Sequence, residues 1–471
     1  MNGLLTLAYL VLCIGIVFFV PPLVVPHSEL YGVVTVFDTS RAVVLVTVLA
    51  SVAGFYAFRQ GAERSFLLKL FIAALLIRMI LGTAIFVFKG QDFFGGDALT
   101  YDFYGYAQIQ AWFGNKDFDA IVRRFTRGAG SNWGMVYFVG AIYGILGRNM
   151  LAVQLVNSVF GAATAVIIFL CAHHVFNNVR VARLAGLAVA FYPSLVLWSS
   201  QGLKDGPIVF CLALSILATL KLGEKLSFRY IVALVCALMW LLSLRFYVFY
   251  MMCAAIAGAF VIGMQTVTAT SFVRQLTAVL MIGLALTYFG VTRTATVQFE
   301  RYGNLERVQV SRRDLARRAD SGFGRDVDVS TTSGALSTIP MGLLYLLFAP
   351  FPWQVGSLRQ NITLPEMIVW WASFPMLVMG LWFAIKYRLR MISPILIFTL
   401  MLTLSYSVFQ GNVGTAYRQR AQLLVFYFIF VAVGFVLLKE KREETKRLAL
   451  IERQQFAAHR ASPGRRRVTP L

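Results

Sequence analysis

The sequence predicts an all-α fold, a polytopic transmembrane helical bundle of about 12–14 helices. Three observations predict it. Apolar runs of roughly 20 residues, the length a helix needs to cross a bilayer core, recur from end to end. The chain of 471 residues is 59% hydrophobic, against about 45–50% for a soluble domain, and its mean hydropathy is +0.72. The net charge of +22 sits in loops beside the apolar runs, as the cytoplasmic bias of Lys and Arg and the pull of anionic headgroups favour. No nucleic-acid-binding module accompanies the charge, so nucleic acid is not expected as a partner.

In chain order the spans fall at 4–25, 42–58, 66–89, 133–147, 150–176, 182–198, 206–222, 229–243, 246–264, 272–290, 339–353, 366–385, 391–409 and 421–438. The first lacks a basic leader and a small-residue cleavage site and reads as a retained helix. The spans 133–147 and 339–353 are short for a full crossing and read as tilted, half-inserted or buried by neighbours. Five organisational units follow: 1–65, N-terminal transmembrane helices; 66–290, the membrane core; 291–338, a charged loop; 339–438, C-terminal transmembrane helices; and 439–471, a basic cytoplasmic tail.

Within 90–132, Tyr101, Tyr104, Tyr106, Ala107, Ile109 and Trp112 recur near helical spacing ahead of the charged run Asn115–Arg127. That pattern predicts an amphipathic helix on the membrane surface. Residues 291–337 read as a charged loop with one helical piece near Ser311–Arg318. The tail reads as helical over Lys439–Gln455 and disordered through Ser462–Arg467. A cytoplasmic tail puts Lys386–Arg390 and Arg59–Arg64 inside, and 90–132 with Gln410–Arg420 outside. Strict alternation then sends Ser199–Asp205 inward, in conflict with the two arginines of Asn177–Arg183, unless a nearby helix fails to span.

The five cysteines form no CxxC pair and read as buried thiols. His173 and His174 are adjacent, so they do not share a helix face, and no metal or cofactor is expected.

Chemistry concentrates in three stretches. Gly95-Gly96-Asp97-Ala98-Leu99-Thr100-Tyr101-Asp102 follows an apolar helix. A carboxylate there serves as a general base for an acceptor hydroxyl or amine, pairs with a cation, or caps the next helix. Asp102 lies five residues on, off the face of Asp97, and suits a structural or acceptor-orienting role more than a catalytic one. Tyr192–Asp205 breaks an apolar helix at Pro193 and ends in Trp198, a polar cluster and Lys204-Asp205. It reads as a cavity lining or as an interfacial loop with a neutralised pair. Gly411–Arg420 carries Tyr417, Arg418 and Arg420 after a glycine turn. Guanidinium groups bind phosphate through several donors, and they also anchor to headgroups. Arg245, between two spans, is a weaker candidate of the same kind. Pro350-Phe351-Pro352-Trp353 is aromatic and stiff, as both sugar platforms and membrane interfaces are.

The order of these pieces resembles the GT-C membrane glycosyltransferases, and within them the protein mannosyltransferase and aminoarabinose transferase type. The resemblance rests on Asp97, Tyr101 and Ala107, on Asn132–Phe138, on Gly147-Arg148-Asn149, on Asn157–Thr164 with Ala172–Phe176, and on Pro193, Ser199 and Lys204-Asp205. It covers about residues 66–265, with Gly411–Arg420 similar to the terminal loop of some bacterial relatives. It implies a GT-C-like core, with interfacial helices in the first long outer loop. It also implies transfer of a sugar from a polyprenyl-phosphate-linked donor to a lipid, glycan or protein acceptor at the outer face of a bacterial inner membrane. On that reading the catalytic candidates are Asp97, Asp102 and Asp205. Tyr101, Lys204, Arg245, Tyr417, Arg418 and Arg420 bind substrate, with Lys204, Arg418 and Arg420 on the lipid phosphate.

Two rival readings stand beside it. An O-antigen or polysaccharide polymerase or ligase would use Arg312-Arg313 and Arg317-Arg318 of the 291–337 loop. A lipid-linked glycan flippase or transporter would carry charges within its spans, where Lys69 and Arg78 are the visible examples.

Overall fold

A computed structural model describes residues 3–25, 27–28, 32–33, 35–88, 96–129, 133–262, 269–317, 321–354, 356 and 358–461. Gly95, Asn132 and the tail expected to be disordered, 462–467, lie outside them. The described chain is an all-α polytopic bundle, apart from a two-residue antiparallel pair of His27–Ser28 with Gly32–Val33. The helices are α1 Gly3–Val24, α2 Val36–Phe58, α3 Arg64–Val87, α4 Asp97–Trp112, α5 Lys116–Ala129, α6 Trp133–Leu146, α7 Met150–Phe176, α8 Val179–Phe191, α9 Pro193–Ser199, α10 Asp205–Glu224, α11 Phe228–Leu244, α12 Phe246–Ile262, α13 Ala269–Tyr288, α14 Val291–Tyr302, α15 Leu305–Arg317, α16 Thr332–Phe348, α17 Leu358–Phe409 and α18 Val413–Ala461. By length and composition six of the described helices can cross a membrane, or eight if each of two bent pairs counts as one span.

Local chemistry sets several boundaries. Thr35 and Asp38 form a reciprocal capping box at the start of α2. The Asn149 side chain accepts from Ala152 N at 3.0 Å and starts α7. Asn177, in the left-handed region at φ 49°, ends that helix. Asn178 then caps α8.

The alternation conflict resolves at α6. Its 14 residues extend only about 21 Å, short of a bilayer core. Both of its ends lie at one end of the bundle. A Cβ on Gly134 would fall 2.1 Å from Ser243 Oγ, just before Arg245. At the other end, the Leu146 carbonyl accepts from Arg41 and the following Arg148 pairs with Asp102. Span 133–147 therefore does not cross. Chain parity flips, so Ser199–Asp205 joins Asp97 at this end, while Arg180 and Arg183 meet Glu443 and Glu63 at the opposite end.

The expected span 182–198 is two helices, α8 and α9, bent by 56°. Arg78 holds this break. It donates to the carbonyls of Ala190 (2.7 Å) and Val189 (3.1 Å) and to Ser199 Oγ (2.8 Å). Those carbonyls are left without helical partners by Pro193. The spans 366–385 and 391–409 are continuous in α17, which folds back at Arg388, where the backbone leaves helical geometry. Its first half packs on α18 with backbones touching. A Cβ on Gly380 would lie 1.9 Å from Phe430 O, and one on Gly434 2.0 Å from Met376 O. Such contact is the usual packing of small residues between membrane helices.

One further expectation changes: among the described residues the 291–337 stretch holds α14, α15 and the start of α16, where one helical piece was expected. The polar helix α5 lays its rings on α4: Phe125 stacks on Tyr104 at 4.1 Å and Phe118 meets Tyr106 edge-on at 5.9 Å. Its aromatic residues are taken up by protein, because α4 offers rings at matching spacing.

Candidate active site

Three chain segments far apart in sequence meet where α4, α10 and α18 converge. Asp97 is the first residue of α4, with Gly96 as its cap, so its carboxylate is not consumed in capping and points outward. Asp205 begins α10 after the tight 200–204 turn. Asn157 of α7 shapes that turn by donating to the carbonyls of Gln201 (2.6 Å) and Leu203 (2.8 Å). Arg418, in the second turn of α18, joins the two acids. Its Nη1 donates to Asp97 Oδ2 at 2.6 Å and its Nε to Asp205 Oδ2 at 2.7 Å. The guanidinium lies 5.8 Å from the ring of Trp198 on α9, within cation–π range.

Arg245 approaches from the α11–α12 break, 3.9 Å from Asp205 Oδ1. It is steadied by Tyr406 Oη at 3.2 Å, which itself donates to Gln422 at 2.9 Å. Burial, together with Arg245 alongside, pushes the Lys204 ammonium down to about 7. Burial and the neighbouring Asp97 push the Tyr101 phenol upward, so it stays a hydroxyl. Three cations, Lys204, Arg245 and Arg418, thus surround two carboxylates. The excess positive charge at low pH suits an anion. The acids differ in access: the Asp97 side chain is 54% exposed and that of Asp205 only 2%. Asp97 is open to solvent, whereas Asp205 is buried against Arg418 and Arg245. Among the described residues no group of three or more His, Cys, Asp or Glu is placed to hold a metal ion.

Of the sequence candidates, Asp97, Tyr101, Lys204, Asp205, Arg245 and Arg418 come together. Three do not. Asp102 faces the other side of α4, where Tyr143 and Arg148 donate to it. It ties α4 to α6 and to the turn before α7. Arg420 lies two residues after Arg418, about 200° around the helix. It donates to the carbonyls of Leu347 (2.9 Å) and Ala349 (3.1 Å), closing the end of α16. Tyr417 also turns away, and its hydroxyl donates to Glu366 at 2.8 Å. Glu366 was absent from the candidates, although a lone acid in an apolar span is a signal in itself. Trp198 and Asn157 were quoted as motif residues, but nothing in their spacing showed them facing Arg418 and the 200–204 turn.

Residues 134–290 match the family described as dolichyl-phosphate-mannose-protein mannosyltransferase. The matched segment spans a third of the chain and includes Asn157, Trp198, Lys204, Asp205 and Arg245, while Asp97 and Arg418 lie outside it. The match bears out, over this segment, the GT-C resemblance drawn from the motifs, and the long apolar helices agree with a multi-pass membrane protein. No curated protein matches the chain.

Proposed function

We propose that this GT-C protein transfers a sugar from a polyprenyl-phosphate-linked donor to a lipid, glycan or protein acceptor at the outer face of a bacterial inner membrane. The observation that carries the reading is Arg418, bridging Asp97 and Asp205 with Lys204 and Arg245 alongside. In the transfer, an acceptor hydroxyl oxygen bonds to the anomeric carbon as the bond from that carbon to the phosphate oxygen breaks. The acceptor proton passes to Asp97. The polyprenyl phosphate leaves with the electron pair, and the cations stabilise the charge that grows on it. The donor phosphate competes with Asp97 for Arg418, so its arrival frees the base beside the anomeric carbon. The basic residues at the opposite end, among them Arg180, Arg183 and Lys386–Arg390, favour that end as cytoplasmic.

A polymerase or ligase draws support from one contact. Phe323 N donates to Gly411 O at 2.8 Å, which brings the 291–337 segment to the site end. Arg312, however, spends one donor on Gly324 O (2.7 Å) beneath that segment. Asp97→Asn separates the two readings. Purified wild-type protein in liposomes, given labelled polyprenyl-phosphate sugars, is expected to glycosylate an acceptor extract. The variant is expected to do so about a hundredfold more slowly. Transfer by the variant at the wild-type rate removes Asp97 as the base and favours the arginine-based reading.

Lys204 adds a pH signature. Its lowered pKa makes it a cation below about 7 and neutral above. Donor affinity is therefore expected to fall about tenfold between pH 6 and pH 8, the worth of one charge-assisted hydrogen bond. Lys204→Arg, charged throughout, is expected to flatten the profile. A wild-type donor affinity that does not change over this range would take Lys204 off the phosphate.

A further inference from the structure

We infer that Glu366 is a positioning residue for Arg418, acting through Tyr417 and the start of α9. The inference rests on the transferase reading. Glu366 lies in the first half of α17, 5% exposed, in an otherwise apolar stretch. One of its oxygens, Oε2, accepts from two elements at once: Tyr417 Oη of α18 and Ser194 N of α9, both at 2.8 Å. Each donor adjoins a part of the site. Tyr417 immediately precedes Arg418, and Ser194 is one turn before Trp198, over whose ring the Arg418 guanidinium lies. Tyr417 and Trp198 also meet edge-on, at 6.3 Å between ring centroids. A single buried carboxylate oxygen therefore sets the distance between the helix carrying the cation and the helix carrying the ring beneath it.

Two features tie this contact to Arg418 beyond general packing. Pro193 leaves α9 in a seven-residue piece, too short to hold its own orientation, so an external acceptor for its first-turn N–H fixes where Trp198 stands. On α18, Arg418 must reach Asp97 and Asp205 together, a geometry that a small rotation about the helix axis would break. Tyr417 resists that rotation from the adjacent position. Glu366 also supplies negative charge in the neighbourhood of the buried Arg420, whose Nη2 lies 2.9 Å from Met367 Sδ. Removing the acid outright thus strands a buried cation and threatens the fold. Tyr417→Phe removes one hydrogen bond and leaves that pair intact.

The test is a comparison of Tyr417→Phe and Glu366→Gln in reconstituted full-length protein, with donor KM and kcat read separately. A lower folded fraction reduces kcat per mole of protein and leaves donor KM unchanged, whereas a displaced Arg418 raises donor KM. Tyr417→Phe is expected to raise donor KM about fivefold, and Glu366→Gln, which keeps an oxygen for both donors, to stay within about threefold of wild type. In an Arg418→Lys background the Tyr417→Phe effect is expected to vanish, since the two residues act in series. A wild-type donor KM in Tyr417→Phe, or an equal rise in the Arg418→Lys background, overturns the inference. So does a Glu366→Gln protein that folds and has no activity, because the acid's charge would then be needed in its own right. Wild-type protein that neither binds polyprenyl phosphate nor transfers sugar overturns the transferase reading and this inference together. In every other case the wild-type assay works, so the two failures are told apart.

Discussion

Arg418→Ala is expected to reduce sugar transfer by about a thousandfold, the upper end of what one preorganised donor to a developing oxyanion contributes. The guanidinium does two things that no neighbour can replace. It reaches Asp97 and Asp205 simultaneously, through Nη1 and Nε, and in the proposed transfer its planar, multiple donors serve the leaving phosphate. Arg245 is spent on Asp205 and Tyr406. Lys204 is buried enough to lose its proton near neutrality. Arg418→Lys should recover little. An ammonium is a point charge that satisfies one carboxylate and offers no fork to the phosphate. The measurement is single-turnover transfer with saturating donor, alongside thermal unfolding in detergent. Transfer by Arg418→Ala within about tenfold of wild type, from folded protein, would show that the cation is a structural tie and not part of the chemistry.

Asp205→Ala is expected to have the largest effect on stability, with transfer lost as a consequence. The Asp205 side chain is 2% exposed and lies against Arg418 and Arg245. Deleting one partner of a buried ion pair costs about 3–5 kcal/mol, because the remaining charge stays desolvated and unpaired. Here Arg245 would be left so, while Arg418 would keep Asp97. Asp205→Asn keeps the shape and an oxygen acceptor for Arg418, and should fold better while still losing the charge balance. The check is the detergent melting curve of both variants. A Asp205→Ala protein that melts with the wild type would mean that water reaches Arg245 and Arg418 freely, and the site is then more open than its burial indicates. High salt is not expected to rescue Asp205→Ala, since buried charges are screened far less than exposed ones.

Much of the fold was legible because membrane spans announce themselves by length and composition. Spans 66–89, 150–176 and 206–222 fall inside α3, α7 and α10 or within two residues of them. The span at 133–147 was legible as too short for a full crossing, but not which of tilted, half-inserted or buried by neighbours it is. Nothing in an apolar run of that length tells whether it enters a membrane at a tilt or lies across its surface against another helix. The difference was decided by Gly134 against Ser243 at one end and the Arg148–Asp102 pair at the other. The same limit hid the break between α8 and α9, which Pro193 suggested but Arg78 holds open.

For the site, the sequence by itself determined which residue types were available and roughly where. Asp97, Lys204-Asp205, Arg245 and Arg418 stood out because charge is costly beside lipid and is kept where it has a partner or a task. The sequence could not decide who those partners are. Asp97 and Arg418 are 321 positions apart, and only the packing of α4, α10 and α18 brings them into contact. Nor could it separate Arg418 from Arg420, or Asp97 from Asp102. Two residues along a helix is more than half a turn, so one arginine faces the carboxylates while the other closes α16. Five residues along α4 takes the second acid to Arg148 and Tyr143. Glu366 shows the same limit from the other side: the sequence displayed a solitary acid in an apolar helix, but its two donors come from α9 and α18, and their convergence on one oxygen is a property of tertiary structure alone.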